Sequence, residues 1–434
     1  MTLLDLTPRA TADARLATLP VAIIGAGPIG LAAAAHLLER GLDVLILESG
    51  DDVGASIRAW GHTPLFSPWK HLVDAASRRL LESTGWQLPS PDRAPTGHEF
   101  VERYLAPLAE TAELRPRIRT GVEVLAVSRE GMDRTRTRGR ANAPFIVRTR
   151  ATAGIEEIAA RAVLDASGTY RSPNPLSSSG LDLLGMPEIA DRVSNALPDV
   201  LGRDRERFAG RHTTVVGAGH SAANTLLALV ELARQAPDTT VSWLIRTSRA
   251  ARVSSSTDDE LADRARLGGR VDDAVAGGLV HRVEGFEIIR ARALGDAVEL
   301  VGHRAGDVVT HVTDLVVNAT GFRPDLAMLR EIRLDLDDIV EAPRRLAPLI
   351  DPNVHSCGTV EPHGYRELAH PEPGFFIVGM KSYGRAPTFL LATGYEQVRS
   401  VAAWLAGDAA AAGAVELRLP ATGVCTTDAG SCCS

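Results

Sequence analysis

Two glycine-rich turns of the dinucleotide-binding type lie 192 residues apart in this chain, GAGPIG at 25–30 and GAGHSA at 217–222. The first follows an apolar run at 21–24 and opens an alanine-rich, helix-prone stretch, which is the context that the motif requires. Its first glycine permits the tight turn, the second lets the backbone approach a pyrophosphate, and the third allows close helix packing. The predicted binding residues of this turn are Gly25, Gly27, Pro28, Ile29 and Gly30.

A carboxylate follows the next predicted strand, at 45–47. Glu48 lies 23 residues after Gly25, which places it to accept hydrogen bonds from a ribose. The N-terminus of the helix after the turn favours the negative charge of phosphates. The first nucleotide is therefore predicted to be FAD or NAD.

The second turn repeats this arrangement with the opposite charge. It consists of a strand at 213–216, a helix at 223–233 and, between them, Gly217, Gly219, His220, Ser221 and Ala222. After the next predicted strand, at 241–245, comes Arg246, with Arg249 close by and no acidic residue at that position. A guanidinium suits a 2′-phosphate and a carboxylate repels it, so the second nucleotide is predicted to be NADPH.

Length, composition and charge set the outer limits. A chain of 434 residues suits about two or three domains, and a hydrophobic content of 45% can bury substantial cores. The net charge is −7 with both signs interspersed, which argues against partners such as nucleic acid or a membrane surface. Residues 1–20 lack the apolar core of a signal peptide, and no stretch approaches roughly 18 uninterrupted apolar residues. We expect a cytoplasmic protein with a small-molecule substrate.

The predicted fold is α/β, with two dinucleotide-binding, Rossmann-like domains and the NADPH domain inserted in the FAD domain. Residues 1–19 are expected to form a flexible N-terminus and 411–434 a cysteine-containing tail. The FAD-binding domain is discontinuous, at 20–205 and 341–410, and the NADPH-binding domain occupies 206–340. Strands are expected at 145–149, 162–165 and 375–378, and a final helix over about 390–406.

Two further strands end in small-residue turns, DASGTY at 165–170 and NATGFRPD at 318–325, where the chain crosses between the domains. Together with the glycine turns and the terminal strand, glycine and helix, they resemble flavin-dependent monooxygenases and their pyridine-nucleotide reductase relatives over about 20–408. The resemblance implies FAD in the first domain and NADPH in the second. The cofactor-binding set then also contains Val124, Ser167, Gly168, Thr320, Gly321 and Gly379.

The segment 351–400, which contains HGYRELAHPEPGFFIVGMKSYGRAPTFLLATGYEQ, is similar to flavoproteins of bacterial arsenic-resistance operons. This similarity implies a role near arsenic or organoarsenical chemistry. One departure concerns the pattern F-x-G-x-x-x-H, which precedes the second glycine turn in flavin monooxygenases and Baeyer–Villiger enzymes. Here that region reads ALPDVLGRDRERFAGRH, so oxygenation is a weaker expectation than flavin and NADPH binding.

The electron acceptor is expected to be dioxygen or a bound molecule such as a disulfide. Dioxygen would support oxygen transfer to a soft atom such as sulfur or trivalent arsenic. Disulfide reductases of this class carry CxxC or CxxxxC beside the flavin, and neither spacing occurs before the tail. The preferred function is therefore monooxygenase-like oxidation of a small thiophilic substrate, and a thioredoxin-reductase mechanism is disfavoured.

Three of the four cysteines, Cys425, Cys432 and Cys433, lie in the last ten residues. Trivalent arsenic prefers thiolate ligands, so the tail would capture such a substrate, or its cysteines would pass electrons in a disulfide or metalloid reductase. The alternative is a frayed terminus with incidental thiols. A non-catalytic redox sensor or metalloid-capturing protein is the other class of function, and no metal site is predicted elsewhere.

Candidate catalytic residues lie around the last predicted strand. Cys357 and His363 are placed on the substrate side, where a histidine would assist a thiolate. Lys381 and Tyr383 follow Gly379, and a helix beginning near Thr388 would aim its amides at the flavin pyrimidine.

A second group of candidates follows Glu48 at the distance where the related flavoenzymes wrap the ribityl chain and ring of FAD. These are Arg58, Trp60, Ser67 and Trp69. The two tryptophans would stack on the isoalloxazine or close the substrate cavity, or they would be ordinary core residues.

Overall fold

The computed structural model describes residues 12–247, 262–351, 362–386 and 389–417. The predictions for Arg249, Cys357, Thr388 and the three tail cysteines fall outside these ranges.

The strands of the described chain are β1 Val21–Ile24, β2 Val44–Leu47, β3 Ile118–Arg119, β4 Glu123–Arg129, β5 Phe145–Ala151, β6 Gly154–Ala160, β7 Ala162–Asp165, β8 Val193–Asn195, β9 His212–Val216, β10 Thr240–Leu244, β11 His281–Val283, β12 Glu287–Leu294, β13 Ala297–Arg304, β14 Asp307–Thr313, β15 Leu315–Asn318 and β16 Phe375–Ile377.

The α-helices of these ranges are α1 Ala12–Ala17, α2 Pro28–Glu39, α3 Ala55–Ala59, α4 Ala75–Glu82, α5 Gly97–Phe100, α6 Ala106–Ala109, α7 Met186–Ile189, α8 Arg205–Phe208, α9 His220–Gln235, α10 Ala262–Ala276, α11 Ala347–Ile350, α12 Tyr365–Leu368, α13 Leu391–Leu405 and α14 Ala409–Gly413. A π turn at Val101–Leu105 joins α5 to α6. None of these helices has both the length and the apolar character needed to cross a membrane.

The first sheet has the strand order β16-β7-β1-β2-β3, and each neighbouring pair is parallel. Its central strands β1 and β7 are short, fully buried and apolar except for Asp165 at the end of β7, as expected for strands buried on both faces. The helices α2 and α13 pack against one face, and the antiparallel meander β4–β5–β6 covers the other. The first glycine turn therefore begins at the carboxyl end of β1, the central strand of a sheet that is covered on both faces.

The second sheet repeats this design with the order β11-β10-β9-β15-β8, again entirely parallel. The helices α9 and α10 cover one face, and the antiparallel sheet β12–β13–β14 covers the other. Both glycine turns thus follow a strand with a neighbour on each side, where the winding of an open α/β sheet reverses. Ligands of such sheets bind outside the carboxyl ends of these strands. The predicted fold class is confirmed.

The first sheet with its covering elements forms one unit, and the second sheet with its covering elements forms the second unit. The chain crosses between these two units twice, at 170–174 and 318–323. These segments run side by side, because the amide of Asn174 donates to Gly321 O at 2.9 Å and the amide of Arg323 donates to Ser172 O at 2.9 Å. The boundaries expected at 205/206 and 340/341 lie further along the chain than the crossings. The strand β8 is already part of the second sheet, and Leu329 and Ile332 are back in the first core.

Candidate functional site

The first glycine turn is closed toward the protein and open toward solvent. Gly25 has a φ of 101°, in the left-handed region that favours glycine. A Cβ there would lie 2.8 Å from Ala166 O, and one on Gly30 would lie 1.9 Å from the oxygen of Gly25. A Cβ on Gly27 would meet nothing within 4 Å. This space adjoins the N-terminus of α2, where Pro28 takes the first helical position and Ile29 follows, so an anion fits there.

Glu48 ties this turn to the end of β2. Its carboxylate accepts the amide of Ala26 at 2.7 Å through Oε2 and the amide of Gly50 at 2.7 Å through Oε1. A carboxylate has about four acceptor sites, so it retains capacity for ribose hydroxyls.

A buried ion pair lies directly behind the turn. Lys381 Nζ donates to Asp165 Oδ2 at 2.7 Å, and both side chains are at most 1% exposed. Ser167 joins them, because its hydroxyl donates to Asp165 Oδ1 at 2.6 Å and accepts from Lys381 Nζ at 3.1 Å. Gly168 follows, with a φ of 70° and open space around its Cα. The expectation that Lys381 acts in catalysis is corrected, because its ammonium is buried and is bound to Asp165 and Ser167. These contacts link the turn after β16 to the turn after β7.

The turn after β16 packs on the first glycine turn. Gly379 has a φ of 69°, and a Cβ there would approach Ile29 Cγ1 to 3.0 Å. Tyr383 and His363 were also expected to be catalytic, but they are only 1% and 3% exposed. Tyr383 packs edge-on against Phe389, and burial raises the pKa of its hydroxyl. As both side chains are enclosed, neither has a surface on which to receive a substrate.

The residues after Glu48 divide into core and surface. Trp69 is fully buried, and its ring centroid lies 6.0 Å from that of Phe100. Its predicted contact with the flavin is corrected, because a ring without accessible surface cannot stack on a ligand. Trp60 is half-buried against Gly97. Arg58 pairs with Asp52 at 2.9 Å. The other predicted contacts, Ser67 and Val124, are half-buried.

The second glycine turn repeats the geometry of the first. Gly217 has a φ of 132°, and a Cβ there would lie 2.2 Å from Ala319 O, whereas one on Gly219 would meet nothing within 4 Å. His220 and Ser221 begin the 16-residue helix α9, and the side chain of Ala222 is buried beneath the turn. Each glycine turn is thus backed by the small-residue turn of a neighbouring strand.

Side chains near the second turn hold it and the crossing together. Trp243, which the sequence interpretation missed, donates its indole N–H to Gly217 O at 2.6 Å. Thr320 donates its hydroxyl to Asn318 Oδ1 at 2.7 Å, and Gly321 has a φ of 98°. From the first unit, Phe66 reaches the ring of His220, with centroids 5.2 Å apart.

The strand ends beside the two turns differ in charge. Glu48 follows β2, whereas Arg246 follows β10 after one buried residue and is exposed to solvent. Within the described ranges its guanidinium makes a long contact, 3.5 Å from Ser178 O, which leaves it accessible to an anion from that side.

The sequence profile of the pyridine nucleotide-disulphide oxidoreductase family matches residues 22–356, which is well over half of the chain and includes both glycine turns. The chain belongs to this family.

One relative with a similar sequence is a monooxygenase by name. The indole-3-pyruvate monooxygenase YUCCA1 of Oryza sativa subsp. japonica is 30% identical over 210 residues, which cover 48% of this chain and 44% of the rice protein. The match therefore spans less than half of that relative.

Among solved structures, the bacillithiol disulfide reductase Bdr (YpdA) of Bacillus cereus has a TM-score of 0.66 at 19% identity, covering 90% of this chain and 99% of its own. The cadaverine monooxygenase DfoA of Erwinia amylovora, solved with FAD, has a TM-score of 0.63 at 16% identity, covering 93% and 98%. At these identities the likeness shows the shared two-unit fold.

Proposed function

We propose that this chain is an NADPH-dependent FAD oxidoreductase of the monooxygenase type that acts on a small thiophilic substrate, with a trivalent arsenical as the first candidate. The observation that carries the proposal is the pair of glycine turns, each open at its second glycine and each beside a strand end of opposite charge. Membership of the pyridine nucleotide-disulphide oxidoreductase family supports redox chemistry with a pyridine nucleotide.

The first turn fits FAD. The open space at Gly27, the N-terminus of α2 and the remaining acceptor capacity of Glu48 suit a pyrophosphate and its ribose. Lys381 neutralises Asp165 behind the turn, so no uncompensated carboxylate repels the phosphates. Bound FAD would take up hydride from NADPH and supply electrons to an acceptor.

The second turn fits NADPH. The open space at Gly219 and the amides at the start of α9 suit its pyrophosphate, and the exposed guanidinium of Arg246 suits a 2′-phosphate. Trp243 holds the carbonyl of Gly217 and so fixes the backbone that the nucleotide would meet.

Two kinds of similarity support dioxygen as acceptor and a thiophilic substrate. DfoA and the rice relative are monooxygenases by name. The segment 351–400 resembles flavoproteins of arsenic-resistance operons, and the tail brings three thiols that suit trivalent arsenic.

A disulfide or metalloid reductase is the second candidate, because the fold also matches a bacillithiol disulfide reductase. In that enzyme class Cys432 and Cys433 would form a redox pair. A flavin-containing sensor or metalloid-capturing protein without turnover is the third.

The first experiment mixes the FAD-loaded protein with NADPH under anaerobic conditions and then admits air, with and without methylarsenite. The proposal expects loss of the oxidised flavin absorbance, followed by formation of an oxygenated arsenical in proportion to the NADPH consumed. Hydrogen peroxide as the sole product, whether or not the arsenical is present, would exclude oxygenation of that substrate. No bleaching at all would leave only the sensor.

A cysteine variant separates the reductase from the monooxygenase. In the reductase, replacing both Cys432 and Cys433 by Ser abolishes turnover; in the monooxygenase, turnover persists at saturating substrate. Cys425→Ser is the matched control, since it removes a tail thiol without touching the adjacent pair.

A further inference from the structure

A buried hydrogen-bond network joins the turn at 379–383 to helix α13 and to His363. Gly379 donates its amide to Gln397 Oε1 at 2.8 Å. The Nε2 of Gln397 lies 2.9 Å from Ser382 Oγ and 2.8 Å from His363 Nε2. Ser382 in turn donates its hydroxyl to Gly379 O at 2.7 Å.

The donors and acceptors of this network fix one another. A backbone N–H only donates, so the amide of Gly379 must meet the oxygen of Gln397. The Gln397 nitrogen, which only donates, therefore faces the other two side chains. The hydroxyl of Ser382 is used by the carbonyl of Gly379 and so accepts from Gln397. It follows that His363 Nε2 is an acceptor and carries no proton.

The turn at 379–383, which this network holds, packs against the first glycine turn. Ile29, within GAGPIG, lies between Gly379 and Gly394, where an added Cβ would come to 3.0 Å and 2.5 Å from its side chain. A displaced Gly379 would therefore push on Ile29, which lies two residues after Gly27 in the first glycine turn.

We propose that His363 is a positioning residue in its neutral form, with the proton on Nδ1. Its Nε2 orients the amide of Gln397, which then holds Gly379 against Ile29 and keeps the first turn in its binding geometry. The inference deepens the proposed function and rests on it for the identity of the ligand, FAD.

The first test is nuclear magnetic resonance of the full-length protein with 15N-labelled histidine, which distinguishes protonated from unprotonated ring nitrogens. His363, assigned by the signal lost in His363→Gln, is expected to show an unprotonated Nε2 and a protonated Nδ1. In Gln397→Glu the carboxylate only accepts at neutral pH, so Nε2 should become protonated. A protonated Nε2 in the unaltered protein would overturn the inference, whether or not FAD binds.

The second test measures FAD affinity by fluorescence titration. His363→Leu is expected to weaken binding about tenfold, the loss of roughly one buried hydrogen bond. His363→Gln retains an acceptor and should bind within about twofold of the unaltered protein.

The matched control is Glu396→Gln, the neighbouring residue of α13, which pairs with Arg399 and not with the turn. It should leave FAD affinity unchanged. If the unaltered protein binds FAD and His363→Leu binds it equally well, the positioning role is wrong. If the unaltered protein binds no FAD, the proposed function fails, and the histidine tautomer still decides the network.

Discussion

At the scale of single residues, the two strand ends beside the glycine turns carry opposite charges, Glu48 at one and Arg246 at the other. Glu48 is held by two backbone amides, whereas Arg246 is exposed and only weakly held. Arg246 therefore provides a sharp test of nucleotide preference.

We expect Arg246→Gln to lower kcat/KM for NADPH relative to NADH by roughly 10- to 100-fold, because a charge-assisted contact with the 2′-phosphate is lost. Steady-state NAD(P)H oxidation measures both values. Arg290→Gln removes an equal charge from the exposed surface of β12 and should leave the ratio unchanged. An unaltered ratio in Arg246→Gln would remove this residue from nucleotide recognition.

The sequence indicates the glycine turns, because their residue types and spacing are local. It does not indicate that Lys381 pairs with Asp165, since 216 residues separate them and only the pairing of β16 with β7 brings them together. Lys381 was therefore predicted to be a catalytic candidate rather than the partner of a buried carboxylate. Gln397 and Trp243 were missed for the same reason, as each acts on a turn distant along the chain.

At the scale of elements, the small sheet β12–β14 is fastened to the second sheet by histidines. His311 Nε2 lies 2.8 Å from Thr214 Oγ1, and its ring packs edge-on against His212, with centroids 5.6 Å apart. Burial, with further repulsion from His212 and His281, lowers the pKa of His311 to about 4. Burial also lowers the pKa of His212, although Asp314 opposes the change.

These shifts predict loss of stability in acid. The folded pKa of His311 lies below its unfolded value of about 6.5, so the stabilisation is complete above that pH and is lost as the pH falls toward about 4. Urea unfolding at several pH values should show the free energy of unfolding falling with pH between about 6.5 and 4, and His311→Gln should reduce this slope.

The control for this slope is His303→Gln, an exposed histidine of β13 in the same small sheet, which should leave the slope as it is. An equal slope in the His311 variant would assign the acid sensitivity to other groups.

The ends of the elements follow local signals closely. The strand predicted at 162–165 is observed at Ala162–Asp165, and the helix predicted at about 390–406 is Leu391–Leu405. The domain crossings were harder, because β8 joins the second sheet by pairing with β15, a long-range contact without a local pattern.

At the scale of the whole molecule, one buried carboxylate joins segments from before and after the second unit. Glu372 accepts Arg129 Nε at 2.8 Å and pairs with Arg140 Nη2 at 2.8 Å, and all three side chains are almost fully buried. Burial alone would raise the pKa of Glu372, but hydrogen bonds from Arg140 and Arg129 lower it overall.

Glu372→Gln is expected to reduce the free energy of unfolding by about 3–5 kcal/mol, because two buried guanidinium groups lose their counter-charge. Urea unfolding measures this loss. Glu82→Gln breaks the exposed pair with Arg78 and should change stability by only about 0.5 kcal/mol. A loss as small as that of the control would show that water replaces the carboxylate.

The two crossing segments, joined by the hydrogen bonds of Asn174 and Arg323, give the second unit adjacent points of entry and exit. The second unit is an insertion in this sense, because every strand of the first sheet lies either before its entry point or after its exit point along the chain. We therefore expect that another nucleotide-binding unit with adjacent ends and a surface for Phe66 can be joined at the two crossings, and that such an exchange would change the electron donor.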